Sequence, residues 1–292
     1  MHVSSGIRSS FRAPPTLSRR AALAAGGGAL VSVAQLALGV SACSEANTGG
    51  KRVELVTTVD ADTLSFVNAY DFKVELELAL LSIGPLRYVE GAPVALREPA
   101  RRRARWIEAL SSVRTAHAHP GHYEEGQTLG EMLRPTTVDL AAGPTDLGSS
   151  PGVSGVARSA LFCFQSPPAG ELAASLGDDV VLIEGTATSL ASGDSLRFRA
   201  RASVEQVLDA EGQPFVAGCE LDDGNIQENG SVRLLVFPSV WLDQTDFSEL
   251  STNDDEPIEL DPATTPHKAF VRGLKKAAAY GFTYEAGSSS RS

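Results

Sequence analysis

The clearest hydropathy pattern lies between Asp71 and Val89, where Phe72, Val74, Leu76 and Leu78 alternate with Lys73, Glu75 and Glu77. Period two with one apolar face predicts a half-buried strand. Val53–Val59 reads as an earlier strand. Val156–Phe164, Val180–Thr186, Ser195–Ala202, Phe215–Leu221 and Val232–Phe237 read as later ones. Turn-forming residues separate them, as in Ser166-Pro167-Pro168, Gly177-Asp178-Asp179, Ser192-Gly193-Asp194, Glu211-Gly212-Gln213-Pro214 and Asp222-Asp223-Gly224-Asn225. Many short strands at this spacing point to an antiparallel sandwich or barrel. The expected fold is all-β, an antiparallel β-sandwich with one or two short helices. Those helices are Glu98–Val113, with Trp106, Leu110 and Val113 at helical spacing, and His267–Tyr280, with Phe270, Val271, Leu274, Ala277 and Ala278 on one side. No βαβ alternation is visible, so parallel strands are not expected. No internal repeat of fixed period is present.

The N-terminus departs from this pattern. Thr16-Leu17-Ser18-Arg19-Arg20-Ala21-Ala22-Leu23 leads into a weakly apolar run that ends at Val40-Ser41-Ala42-Cys43. A charged region, an apolar region and a small-residue end define an export signal. Ser18-Arg19-Arg20 resembles the twin-arginine (Tat) signal. Val40-Ser41-Ala42-Cys43 resembles a bacterial lipobox. The lipobox resemblance implies that the Cys43 thiol is lipidated and becomes the mature N-terminus. Ser44 is not aspartate, which by resemblance to enteric lipoproteins permits transfer to the outer membrane. The division that follows is residues 1–42 signal peptide, 43–50 lipidated tether, 51–286 one sandwich-like domain and 287–292 disordered tail. The expected address is the cell envelope, lipid-anchored to a membrane at the outer membrane, periplasm or cell surface.

Composition adds exclusions. The chain has 292 residues, 42 % hydrophobic and 21 % charged, which is ordinary for a globular protein. Its net charge is -11, and the mature part is near -15, because the signal holds Arg8, Arg12, Arg19 and Arg20 and no acid. So acidic a surface argues against nucleic acid as a partner. The only long apolar stretch lies in the signal, so the body is not polytopic. With Cys43 lipidated, Cys163 and Cys219 remain, an even number for an oxidising compartment. A disulfide between them is expected. It would close a loop of about 57 residues and contribute roughly 4 kcal/mol in the chain-entropy picture.

The candidate chemistry is concentrated in Ala116-His117-Ala118-His119-Pro120-Gly121-His122-Tyr123-Glu124-Glu125. The mature chain has four histidines, and His117, His119 and His122 fall within six residues. In extended chain, His117 and His119 share a face. Pro120-Gly121 can turn the chain and return His122 toward them. Three imidazoles on one patch suit a transition metal, copper or zinc first. Glu124, Glu125 and His267 are possible further ligands, with Glu131 and Tyr123 behind them. The spacing matches the metallo-β-lactamase motif except that Gly121 replaces its aspartate. That fold needs further His and Asp ligands, and with only His267 downstream and a different strand rhythm that enzyme is rejected.

Other features read as structural. Gly193-Asp194-Ser195-Leu196 spells the tetrapeptide that names an esterase family, but no Asp-x-x-His follows and a turn is expected there. Gly152-Val153-Ser154-Gly155 is not a nucleophile elbow. Asp243–Asp261 holds eight carboxylates and no basic residue, and it reads as a solvated loop, not a calcium site. Trp106 and Trp241 read as core. Arg97, Arg101, Arg102, Arg103, Arg105 and Arg114 read as partners of the chain's carboxylates, with anionic headgroups or a bound anion as alternatives. With its histidine cluster and Ala269-Phe270-Val271-Arg272-Gly273-Leu274, the mature chain is similar in outline to periplasmic copper-binding proteins of methanobactin systems. That resemblance transfers no ligand. The expected function is a lipid-anchored, extracytoplasmic, non-enzymatic protein for metal capture, buffering or delivery. A non-catalytic envelope binding or structural lipoprotein without metal is the alternative. The partners are the membrane through the lipid, and the metal ion.

Overall fold

The structure is a computed structural model of the chain. It describes residues 50–93, 123–250 and 256–287. In chain order, β1 (Arg52–Ala61), β2 (Ser65–Val67), β3 (Phe72–Ile83) and β4 (Leu86–Val89) precede the first break. After it come β5 (Thr128–Met132), β6 (Thr136–Asp139), β7 (Thr145–Val153), β8 (Gly155–Val156), β9 (Ser159–Cys163) and a one-turn helix, α1 (Ala173–Leu176). Next are β10 (Asp179–Ser189), β11 (Ser195–Ser203), α2 (Val204–Val207), β12 (Phe215–Asp222), β13 (Asn225–Ile226), β14 (Gly230–Val236) and α3 (Pro238–Leu242). β15 (Ile258–Glu259), α4 (Thr265–Leu274) and β16 (Tyr280–Ala286) complete the order.

The expected antiparallel sandwich is overturned. Eight strands close into a barrel in the order β1-β14-β16-β12-β9-β4-β5-β7, with β7 pairing back onto β1. The barrel is mixed, because β1–β14 and β12–β16 run parallel. These parallel partners are distant in sequence, so no helical crossover joins them directly. Closure comes from coiling. The ladder shifts register between Thr57 and Thr58, between Tyr88 and Val89, and between Val216 and Cys219. Each irregularity sharpens local twist until the sheet meets its own first strand. Closure also removes both sheet edges.

Side chains fill the barrel. Val53, Leu55, Thr57 and Val59 of β1 point inward while Arg52, Glu54 and Val56 point out. Tyr88 packs edge-on to Phe282, and its hydroxyl meets Thr57 Oγ1 at 2.6 Å. Phe162 stacks on Tyr280 with ring centroids 4.0 Å apart. Gly130 and Gly152 are paired across β5 and β7. A Cβ on either would approach Leu55 Cδ1 within 2.9 Å, so their bareness makes room for the leucine. The outer wall carries Arg52, Glu54, Glu220, Arg233 and Glu285. An apolar interior and a charged exterior are the reverse of a lipid-embedded barrel. Among the described residues no helix is long and apolar enough to cross a membrane.

The second sheet has the order β15-β11-β10-β3-β2, with β6 also on β3. The alternation that opened the sequence reading holds through Leu76 and then changes phase. The β3–β10 ladder slips between Glu184 and Gly185, so Leu76 faces Gly185 and Leu78 faces Glu184. Leu78 therefore joins Leu80, Leu176 and Leu182 on the outer face, under α1. Ala79, Leu81 and Ile83 continue the inner face. There Phe72 and Phe198 pack against Phe247, and Trp241, Phe270 and Leu274 of α3 and α4 extend the same core to the barrel. The expected helix over His267–Tyr280 is shorter than predicted. α4 ends at Leu274, and Tyr280 begins a barrel strand.

Candidate functional site

Cys43, His117, His119 and His122 lie outside the described residues, as do the predicted helix Glu98–Val113, Trp106 and the arginines from Arg97 to Arg114. The structure does show where the histidine segment leaves and rejoins the fold. β4 and β5 are antiparallel neighbours, and their ladder runs on past the strands. Glu90 N donates to Gln127 O at 3.0 Å, and Gly91 N donates to Glu125 O at 2.7 Å. Residues 94–122 are thus an insertion in a barrel hairpin.

A hydroxyl relay clasps the root of this insertion. The Tyr123 hydroxyl meets Ser159 Oγ at 2.6 Å, and Ser159 Oγ donates to Gly91 O at 2.6 Å. Since Ser159 spends its proton on the carbonyl, Tyr123 is the donor to Ser159. Burial raises the Tyr123 pKa, and the hydrogen bond to Ser159 only partly opposes this. Three residues from three segments hold the two chain ends together. No local pattern in the sequence announced them.

The same barrel rim receives the start of β1. Lys51 N donates to Ser154 Oγ, and Ser154 N donates back to Lys51 O, each at 2.8 Å. The rim is acidic. Glu90, Glu124, Asp222 and Asp223 are exposed there, and Glu125 and Glu228 are partly so. Glu124 and Glu125 therefore stay beside the histidine segment, as the sequence places them.

His267 does not. Its ring is 2 % exposed on α4, and Nε2 donates to Arg201 O at 2.8 Å. α4 leads to the end of the barrel where β16 begins, a strand length of roughly 20 Å from the rim. Its imidazole faces a groove along α4 and not the root of the histidine segment. Among the described residues, no group of three or more His, Cys, Asp or Glu side chains converges as a metal site.

The expected disulfide is also corrected. Cys163 and Cys219 are both free thiols, and both are buried. β9 and β12 are paired with Phe215 opposite Cys163 and Cys219 opposite Ala160. Ala160 and Cys163 are three residues apart, so they point to opposite faces of the wall. Cys219 enters the core, while Cys163 lies outside it against Gly84. Thiols on opposite faces, about 10 Å apart along the strand, cannot be bridged. Burial pushes the Cys163 thiol up to about 11 and the Cys219 thiol up to about 12. Neutral burial stabilises the fold below the ordinary thiol pKa, and that stability is lost as pH climbs through about 11 to 12. Native protein at pH 8 should therefore leave both thiols unlabelled by iodoacetamide. Denatured, non-reduced protein should take up two labels at these positions. A two-hydrogen mass deficit with no labelling would restore the bridge.

The remaining sequence features settle as structure. Gly193-Asp194-Ser195-Leu196 spans the β10–β11 turn, where Ser195 Oγ meets Thr188 Oγ1 at 2.7 Å. Trp241 is fully buried. In the acidic segment, Asp246 accepts from Ser248 N and Asp261 accepts from Ala263 N, so both serve as turn caps. Residues 251–255 lie outside the described set.

One feature escaped the sequence reading. An open groove of about 530 Å³ lies along α4, lined by Gln206, Pro262, Thr265, His267, Lys268, Val271 and Arg272. Its signal was legible, since Pro262–Tyr284 contains His267, Lys268, Arg272, Lys275 and Lys276 and no acid. No protein-family model matches the chain, and neither a curated protein nor a solved structure matches it.

Proposed function

We propose that the protein is a lipid-anchored envelope protein that binds a transition metal, copper or zinc, through His117, His119 and His122. Its role is capture, buffering or delivery. The carrying observation is the concentration of three of the mature chain's four histidines in an insertion whose ends are fastened at one barrel rim. A metal bound by residues outside the barrel strands would leave the packed barrel undisturbed. Neutral imidazole is the commonest protein ligand for these ions. Glu124 and Glu125 supply hard oxygen donors beside the cluster, and the acidic rim favours a cation near it.

The reading is tested by metal content. Residues 44–292 purified with copper and zinc should carry one equivalent of metal by mass spectrometry. The variant with His117, His119 and His122 all changed to alanine should carry none. Absence of metal from both proteins, even after titration, would overturn the reading and leave an envelope interaction module.

A further inference from the structure

We propose that the groove along α4 is a binding site for a small molecule bearing an oxyanion, a phosphate or a carboxylate. The groove belongs to the end of the fold away from the insertion, so the inference is independent of the metal. Its size falls within the range of small-molecule sites.

The polar lining is turned toward donation. Gln206 uses its Oε1 to accept from Ser203 N at 3.0 Å, which leaves its amide hydrogens for the groove. Lys268 Nζ donates one proton to Ala263 O at 2.7 Å. That contact fixes the ammonium at the lip and leaves two donors free. Arg272 is exposed, with no ion-pair partner among the described residues. Its planar fork matches the two oxygens of a carboxylate or phosphate. The Thr265 hydroxyl completes the set.

Among the described residues neither Lys268 nor Arg272 forms an ion pair, and the carboxylates nearest in sequence have other partners. Glu205 accepts from Ser203 Oγ at 2.6 Å, and Asp261 accepts from Ala263 N at 2.7 Å. Glu259 stands 3.8 Å from Arg201. On a chain with 36 acidic and 25 basic residues, an acid-free stretch with free cations is a local reversal of charge.

A second observation points the same way. His267 is buried, yet it lines the groove. A carbonyl oxygen can only accept, so the bond to Arg201 O fixes the proton on Nε2. On the neutral ring Nδ1 keeps its lone pair, and no group among the described residues hydrogen-bonds to it. Such a nitrogen suits a hydroxyl on the ligand or on a singly protonated phosphate. Val271 and Pro262 offer the ligand's carbon skeleton an apolar wall.

The test is calorimetric titration of the mature protein with phenyl phosphate and with benzoate. Saturable binding of at least one probe is expected, and the tighter one identifies the preferred oxyanion. The double variant K268Q/R272Q should weaken it at least tenfold. The control K275Q/K276Q removes the same charge outside the groove and should change it less than twofold. Both variants alter exposed side chains, and unchanged thermal melts will show that they fold. No saturable binding of either probe would overturn the proposal. So would equal weakening by the two variants, which would reveal only a general attraction between charges.

Discussion

Gly273→Ala is expected to destabilise the fold by about 3 kcal/mol, although alanine is the better helix former. In an exposed helix interior the exchange would gain up to about 1 kcal/mol. Here α4 crosses α3 with backbone nearly touching backbone. A Cβ built on Gly273 falls 2.6 Å from the Trp241 Cα and 2.7 Å from its carbonyl carbon. Neither atom is the end of a flexible chain, so the helices must part. That movement would disturb Trp241, Phe270 and Leu274, the bridge between sheet and barrel. It would also lengthen the bond from the Tyr280 hydroxyl to Leu274 O, now 2.9 Å. Overpacking of this kind outweighs the propensity gain. Urea unfolding should show a lower midpoint with an unchanged slope. A higher midpoint would mean that α3 and α4 do not approach this closely.

The same contact shows what local pattern could and could not convey. Strand-forming runs marked β1, β3, β10, β11, β12 and β14; β1 and the first half of β3 alternate between a wet and a dry face, whereas Val180–Ile183 of β10 is a continuous apolar run buried on both faces. Such patterns failed where the barrel needs small residues. β7 is absent from the predicted strands because it carries Gly148, Pro151 and Gly152, yet Gly152 is bare because Leu55 fills the lumen. β16 does alternate, with Tyr280, Phe282 and Tyr284 inward, but its first residue was absorbed into the preceding helix pattern. The phase change at Leu78 depends on a bulge opposite Gly185, a property of the pair and not of β3 alone. Closure is likewise a property of the whole ladder, so a sandwich and a barrel look alike in the strand rhythm. Of the chemistry, the histidine cluster and the acid-free stretch are contiguous and therefore visible. The Tyr123–Ser159–Gly91 relay joins distant segments and is not.

Changing Cys43 to alanine is expected to move the protein completely from the membrane fraction to the soluble one. The lipobox resemblance and the surface of the barrel both lead to this outcome. Acyl chains contribute about 0.8 kcal/mol per buried methylene, so a lipid on Cys43 would dominate membrane affinity. The rest of the described surface offers little in its place. The barrel exterior is charged, and the negative balance of residues 43–292 opposes anionic headgroups. Charge alone could hold the variant at a bilayer through the arginines between Arg97 and Arg114 or through the exposed Lys268, Arg272, Lys275 and Lys276. Salt distinguishes the two forces. A charge-held remnant should wash off at about 1 M salt, where the Debye length is near 3 Å, and a lipid-held protein should not. The chain length makes the anchor matter for function as well. Seven residues separate Cys43 from Lys51, a reach of at most about 25 Å. The rim that Lys51 joins is also the root of the histidine insertion, so in the proposed reading metal is captured close to the membrane surface. If the alanine variant resists both salt and carbonate extraction, the lipid reading fails. The membrane would then hold the protein through an uncleaved N-terminal segment or a partner.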